Sequence, residues 1–393
     1  MIGIYMNMKC LRAFNLWIFV ISMTILQTSY SDELRLSFSE AKKQGFKIHI
    51  LQNSQKTKST QLQHQRINKQ RNSLDKYKRT KIAWPFELPY NEGFMGNNFA
   101  QYQPYEIPGY HGGSDMVLER DSWIYAPVSG ILEAGHYAYT DNPDGRRIKH
   151  WKPWPASGDP SYFEIAVIDD QGNRFELHHV DKASLPSDII EKLNSGRAQV
   201  TAGTKVGRVV RWTTPFHYDH VHVNIHDHEG QWFNPEYFFE NLPDTIKPEC
   251  QFLLVYKNGK SEWLQNVMRS RLNPEPDEIS HFAIIASDKK NNNKFSQVPT
   301  YFEVSFQEGE KFFWDFNKNL TSSNSNFADI RNVYLKSVKL PNGQNFRQPS
   351  GYYPNGVKFA VQLPLPMNTG SGKYFLKAQD HAGNFCEYQS QLY

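Results

Sequence analysis

The sequence predicts a mainly β protein, an antiparallel β-sheet domain followed by a β-sandwich, and three observations carry that expectation. Aromatic residues make up 14% of the 393 residues, alongside 22 prolines and 24 glycines, a composition suited to pleated surfaces and tight turns rather than long helices. From Trp84 to about Leu242, short strand-like runs alternate with turn signals. From about Pro248, six further runs follow at 252–256, 282–286, 301–306, 333–340, 357–363 and 374–378, with hardly any helical pattern between them.

The chain begins with Lys9 and Arg12, no acid, an apolar stretch from Leu16 to Leu26, and then the polar run 27–31. This order reads as a secretory signal peptide over residues 1–31. The apolar stretch falls short of the ~20 residues that cross a bilayer, and Cys10 precedes it, which argues against a lipid anchor. No stable membrane anchor is expected. A short helix capped by Asp32 is expected over Asp32–His49. The segment 52–81 is rich in Gln, Asn, Ser, Lys and Arg with Asp75 as its one acid, so 32–83 reads as a linker or propeptide. The remainder divides into 84–247 and 248–393.

Loss of the leader leaves 42 basic against 40 acidic residues, a net of +2, which gives no reason to expect nucleic acid as a partner. It also leaves Cys250 and Cys386 as an even pair in an oxidising compartment, predicting a disulfide that closes the whole C-terminal segment.

Within 84–247, residues 124–132 read as two strand pieces around a Pro127/Gly130 turn, and 163–168 with 174–179 flank Asp169–Asn173 as a hairpin. Between Tyr137 and Tyr162 lies an insertion with Pro143, Pro153, Pro155 and Pro160, expected to be a long loop that walls a cleft. Only Ser187–Asn194 looks helical.

The chemistry concentrates in two short stretches. If Asp219–Ile225 is a strand, His220 and His222 project from one face while Val221, Val223 and Ile225 enter the core. Upstream, His111-Gly112-Gly113-Ser114-Asp115 offers an imidazole and a carboxylate, with glycines expected to let the backbone turn both side chains to one point. A catalytic zinc takes three protein ligands and keeps one position open. His111, Asp115 and His222 supply that count.

These stretches resemble the lysostaphin/LytM-type (M23) zinc metallopeptidases. That family carries His-x-Gly-x-Asp, then Val-Tyr-Ala-Pro-x-x-Gly-x-Val, then Tyr-Ala-His-Leu, and finally His-Leu-His. Here the order is 111–115, 124–131 (Ile-Tyr-Ala-Pro-Val-Ser-Gly-Ile), Leu177-His178-His179-Val180, 200–207, and His220-Val221-His222, closed by Asn234-Pro235. The resemblance covers roughly 100–242. It implies an M23/LytM-type antiparallel β-sheet peptidase domain binding one Zn2+ per chain through His111, Asp115 and His222. It further implies that His179 and His220 act on the attacking water and the oxyanion. His179 rather than His178 is chosen because an apolar residue follows it, and strand alternation is expected to send the two rings opposite ways. The ending 372–384 resembles the last strands of a bacterial immunoglobulin-like β-sandwich.

The implied activity is that of an exported endopeptidase, periplasmic or extracellular, hydrolysing the peptide cross-links of bacterial peptidoglycan with a metal-activated water. The alternative is an inert module that binds cell wall or activates another hydrolase. Asn224 stands where the family often has Glu, and 212–219 replaces its Gly-rich approach to the histidine pair. His217, His226 and His228 are expected to be surface residues rather than a second metal site. A lipase reading of His111–Ser114 fails because no Gly-x-Ser-x-Gly follows. A lipoyl-carrier reading of 126–130 with Lys182 does not need the paired histidines.

Overall fold

The computed structural model describes residues 81–87, 95–104, 108–143, 147–196, 198–212, 218–228, 230–264, 279–306, 311–322, 328–349, 356–365 and 372–392. The expected leader, the Asp32–His49 helix and the polar segment up to residue 80 lie outside them. The described chain is mainly β, built from antiparallel sheets.

The first core forms behind an eight-stranded sheet in which the strand His220–His226 pairs on one side with Arg174–His178 and on the other with Ser114–Val117 and Trp232–Phe233. As alternation requires, Val221, Val223 and Ile225 are buried in this core with Ile165, Val167, Phe175 and Leu177. Each such side chain contributes about 1.5–3 kcal/mol when fully buried. The hairpin of Phe163–Ile168 with Arg174–His178 turns where expected, because Asp169 Oδ1 accepts from the amides of Gln171 and Asn173 and Gly172 takes a φ of 81°. The helix Ser187–Asn194 is present, with Ile189 buried.

The insertion between Tyr137 and Tyr162 is not a loop. The strand Gly130–Asp141 continues through it and pairs with Arg147–Pro153, from Gly135 opposite Pro153 to Asp141 opposite Arg147. Aromatic cross-strand pairing, Tyr137 opposite Trp151, favours the ladder. Pro153 ends the second strand and Pro155 and Pro160 lie beyond it, so the prolines interrupt no paired amide.

The second core lies between two sheets. One contains Glu249–Tyr256, Ser261–Trp263, Ile279–Ser287 and Phe359–Pro364; the other contains Thr321–Ser322, Lys311–Asp315, Tyr301–Phe306, Gly372–Gln379 and Phe385–Leu392. Phe252, Leu254, Phe282 and Val361 from the first meet Phe302, Val304, Trp314 and Leu376 from the second, which makes a β-sandwich. Cys250 and Cys386 form the expected disulfide between the two sheets, with Cα atoms 6.2 Å apart. The expected strand 333–340 is shorter: Asp329 caps a helical turn at Ile330–Val333 that buries both of those residues, Tyr334 makes a single bridge to Val361, and the continuous strand is Ser337–Lys339.

The segment that leads to His111 belongs to both halves. Phe99, Tyr102 and Tyr110 pack into the second core. The Tyr110 hydroxyl donates to the carbonyl of Ala328, Tyr334 donates to that of Ala100, and Asn98 exchanges hydrogen bonds with the backbone of Val298. Ile82 pairs with Phe239 within the first core, where Trp84 stacks on the Phe239 ring at 4.4 Å.

The disulfide joins residues 136 apart in sequence, so it restricts the unfolded chain over a long loop. Cys386→Ser is expected to lower the unfolding free energy by about 2–5 kcal/mol, read by urea titration, and native wild type should show neither thiol free before reduction.

Candidate metal centre

Register assembles the site. In the ladder between His220–His226 and Ser114–Val117, His222 stands directly opposite Asp115. On its other side His222 is opposite His178, which is in turn opposite Glu164. A single cross-strand row therefore runs Glu164, His178, His222, Asp115 on the face away from the first core.

Asp115 is the centre of the site. Its Oδ1 lies 3.0 Å from His111 Nε2 and 2.8 Å from His222 Nδ1. Its Oδ2 accepts from Asn97 Nδ2 at 2.9 Å and from the Tyr218 hydroxyl at 3.1 Å. Burial pushes the Asp115 carboxyl up, but the charges and hydrogen bonds of His111, His220 and His222 outweigh it and hold the group well below the usual carboxylate range. Burial and the neighbouring His111 push His222 down to about 4.

The donor set fits a metal ion on its own chemistry. His111 Nδ1 faces the carbonyl of Asn98 at 3.0 Å, and a carbonyl only accepts, so the proton of neutral His111 sits on Nδ1. In that tautomer Nε2 offers a lone pair towards Asp115, and a cation placed between the two would be ligated by both. Two imidazoles and a carboxylate are the donors zinc accepts, three in number, and the carbonyl on Nδ1 is the outer contact that orients a ligating histidine.

Beside this triad stand His179 and His220, with ring centres 4.7 Å apart. His220 Nδ1 donates to the carbonyl of Tyr218 at 2.9 Å, and its Nε2 lies 3.8 Å from Asp115 Oδ1. His179 Nδ1 donates to the carbonyl of Ser161 at 2.6 Å. Both rings therefore keep an unprotonated Nε2. Burial first, with His220 as the next cause, lowers His179 well below the usual imidazole range, and burial lowers His220. Trp212 stacks on His220 at 5.4 Å and meets His179 edge-on at 4.8 Å.

All five residues singled out in the sequence thus come together. Two of the local arguments behind them do not hold. His178 and His179 do not diverge: His179 has a φ of 63°, which ends the strand and turns the chain, so His178 lies 4.9 Å from His222 while His179 lies against His220. The glycines of 111–115 serve close approach rather than turning. A Cβ on Gly113 would sit 2.0 Å from the carbonyl oxygen of Val223, and one on Gly112 would strike the Trp232 ring.

Beneath the site lies a buried ion network that the sequence reading missed. Lys149 contacts both Glu164 and Glu176 at 2.6 Å, and Arg174 reaches Glu176 at 2.7 Å and Glu164 at 3.1 Å. Burial and the charge of Glu176 push the Glu164 carboxyl up to about 7. His178 Nε2 lies 3.1 Å from Glu176, and His226, expected at the surface, is half-buried against Glu176 at 2.9 Å. Asn224 places its amide 3.3 Å from His178 and 3.4 Å from Glu176. The legible signal was two glutamates in otherwise apolar strands, on the same face as His178. Glu164, Glu176 and His178 converge closely enough for a metal, but Lys149 and Arg174 already neutralise them. Tyr137 and Tyr139 of the extended hairpin cover His178, at 4.3 and 6.2 Å. His217 lies outside the described residues.

Asn97 and Tyr218 carried no sequence signal as site residues, yet both fix Asp115. Asn97→Ala and Tyr218→Phe are each expected to weaken zinc binding by about 10–100-fold, measured by competition with a chromophoric chelator.

No family model and no curated protein matches the chain. Among solved structures, a chain from the SpoIIQ–SpoIIIAH pore-forming complex is similar over 41% of this chain and 91% of its own, at 14% identity and a TM-score of 0.27.

Proposed function

We propose that the chain is an exported zinc-dependent endopeptidase that hydrolyses peptide cross-links of bacterial peptidoglycan. The observation that carries the reading is the convergence of His111 Nε2 and His222 Nδ1 on one oxygen of Asp115, with two further imidazoles of matching tautomer alongside. His111, Asp115 and His222 would hold the ion, and zinc so bound supplies Lewis acidity towards an amide carbonyl and lowers the pKa of water.

The protein's own groups account for the remaining tasks. His179 and His220 are neutral at pH 7 because burial lowers both, so either Nε2 can accept a proton from an attacking water and return it to the leaving amine. Their Nδ1 protons are held by the carbonyls of Ser161 and Tyr218, which fixes ring orientation through the proton transfer. Tyr137, Tyr162 and Trp212 surround these rings and present an aromatic wall to a peptide.

Export is supported by the leader-like residues 1–31 and by the disulfide, which persists in oxidising compartments. Among the described residues no helix is long and apolar enough to cross a membrane.

Zinc-loaded protein incubated with intact sacculi is expected to release new muropeptide ends, and chelator should stop the release. A folded, metal-loaded sample that cleaves nothing would instead indicate a binding module. His179→Ala should keep its zinc and lose about 10²–10⁴ in rate, whereas His222→Ala should lose zinc together with activity.

A further inference from the structure

Where the two cores meet, three carboxylates from distant parts of the chain converge. Asp244 lies in the connector after the first core, Asp288 directly follows the strand Ile279–Ser287, and Asp380 directly follows Gly372–Gln379. One oxygen from each lies within 4.8 Å of the others. Asp288 is only 4% exposed and its Oδ1 has no hydrogen-bond partner; Asp244 Oδ2 likewise has none. A buried carboxylate oxygen without a donor is costly and calls for a counter-charge. We propose that Asp244, Asp288 and Asp380 form a calcium site that ties the β-sandwich to the domain carrying the metal centre.

The surrounding charges leave room for one divalent ion. Asp244 interacts with Glu236 and Asp380, Asp288 with Asp244 and Asp380, and the ammonium of Lys290 with Glu236, Asp244 and Asp288, while Lys81 acts on Glu236. Lys290 is 2% exposed and committed to Glu236 at 2.7 Å, with Asp244 more distant at 3.6 Å. Lys81 donates to the carbonyls of Glu236 and Tyr237. With all four carboxylates ionised, as calcium ligation requires, two ammoniums leave two negative charges, the charge of one divalent ion.

The donors are all oxygen, which excludes a preference for zinc and favours a hard cation. Ligands about 2.4 Å from a shared calcium ion span up to about 4.8 Å, the separation within which these oxygens fall. The loop is already ordered to receive it. Asp380 Oδ1 accepts from the amides of Gly383 and Asn384, and Asn384 Nδ2 bridges Asp380 Oδ2 at 2.9 Å to the carbonyl of Asp244 at 3.2 Å. A carboxylate has about four lone-pair sites, so Asp380 retains capacity for a metal.

The test is calorimetric titration of calcium chloride into the zinc-loaded full chain, with magnesium chloride as comparison and melting temperature as a second readout. One calcium per chain is expected, at the affinity of extracellular modules, about 10⁻⁴–10⁻³ M, with a calcium-dependent rise in Tm. Asp288→Asn and Asp244→Asn should each abolish both signals while zinc content stays unchanged, and either variant suffices should the other fail to fold. Absence of heat and of any Tm change at millimolar calcium, or calcium binding that survives in both variants, would overturn the proposal.

Discussion

The pairing of His222 with Asp115 across two antiparallel strands is the constraint on which the site depends. Because side chains alternate, a slip of one residue would turn His222 into the core and Val221 or Val223 outward. The register is held from the core side by Val221, Val223 and Ile225, all fully buried, and from the backbone side by Gly113, whose missing Cβ lets its strand approach the carbonyl of Val223. Hydrophobic burial therefore does the positioning, and the polar face inherits the geometry.

That polar face is buried, and burial shapes its chemistry. It lowers His179, His220 and His222, which favours neutral rings with one unprotonated nitrogen each. It would raise Asp115 equally, were that group not surrounded by imidazoles and by the donors Asn97 and Tyr218. Below it, Glu164 and Glu176 share Lys149 and Arg174, so the row that begins in a balanced ion network ends at His222 and Asp115, the ligands proposed for the metal. The second core contributes directly, because the segment before His111 is fastened to it through Tyr110 and Asn98.

Much of this was legible in local pattern. The alternation of 220–225, the hairpin around Asp169, the cysteine pair and the strand-rich C-terminal half all follow from spacing and composition within short windows, and the structure agrees with them. What escaped depends on residues far apart in sequence. Tyr218 lies 103 positions from Asp115 and Glu176 lies 48 from Asn224, and no local periodicity announces such partners. The insertion 137–162 reads as a long loop in sequence, because the ladder that pairs Gly130–Asp141 with Arg147–Pro153 leaves no signal around its prolines. His178 was misjudged because alternation assumes an uninterrupted strand, and the left-handed backbone at His179 interrupts it.

The proposed function requires one metal ion among His111, Asp115 and His222. Diffraction from zinc-soaked crystals, recorded on both sides of the zinc absorption edge, tests it most directly. An anomalous peak is expected in contact with His111 Nε2, His222 Nδ1 and Asp115 Oδ1. A structure with no peak there, or with zinc held instead among Glu164, Glu176 and His178, would contradict it.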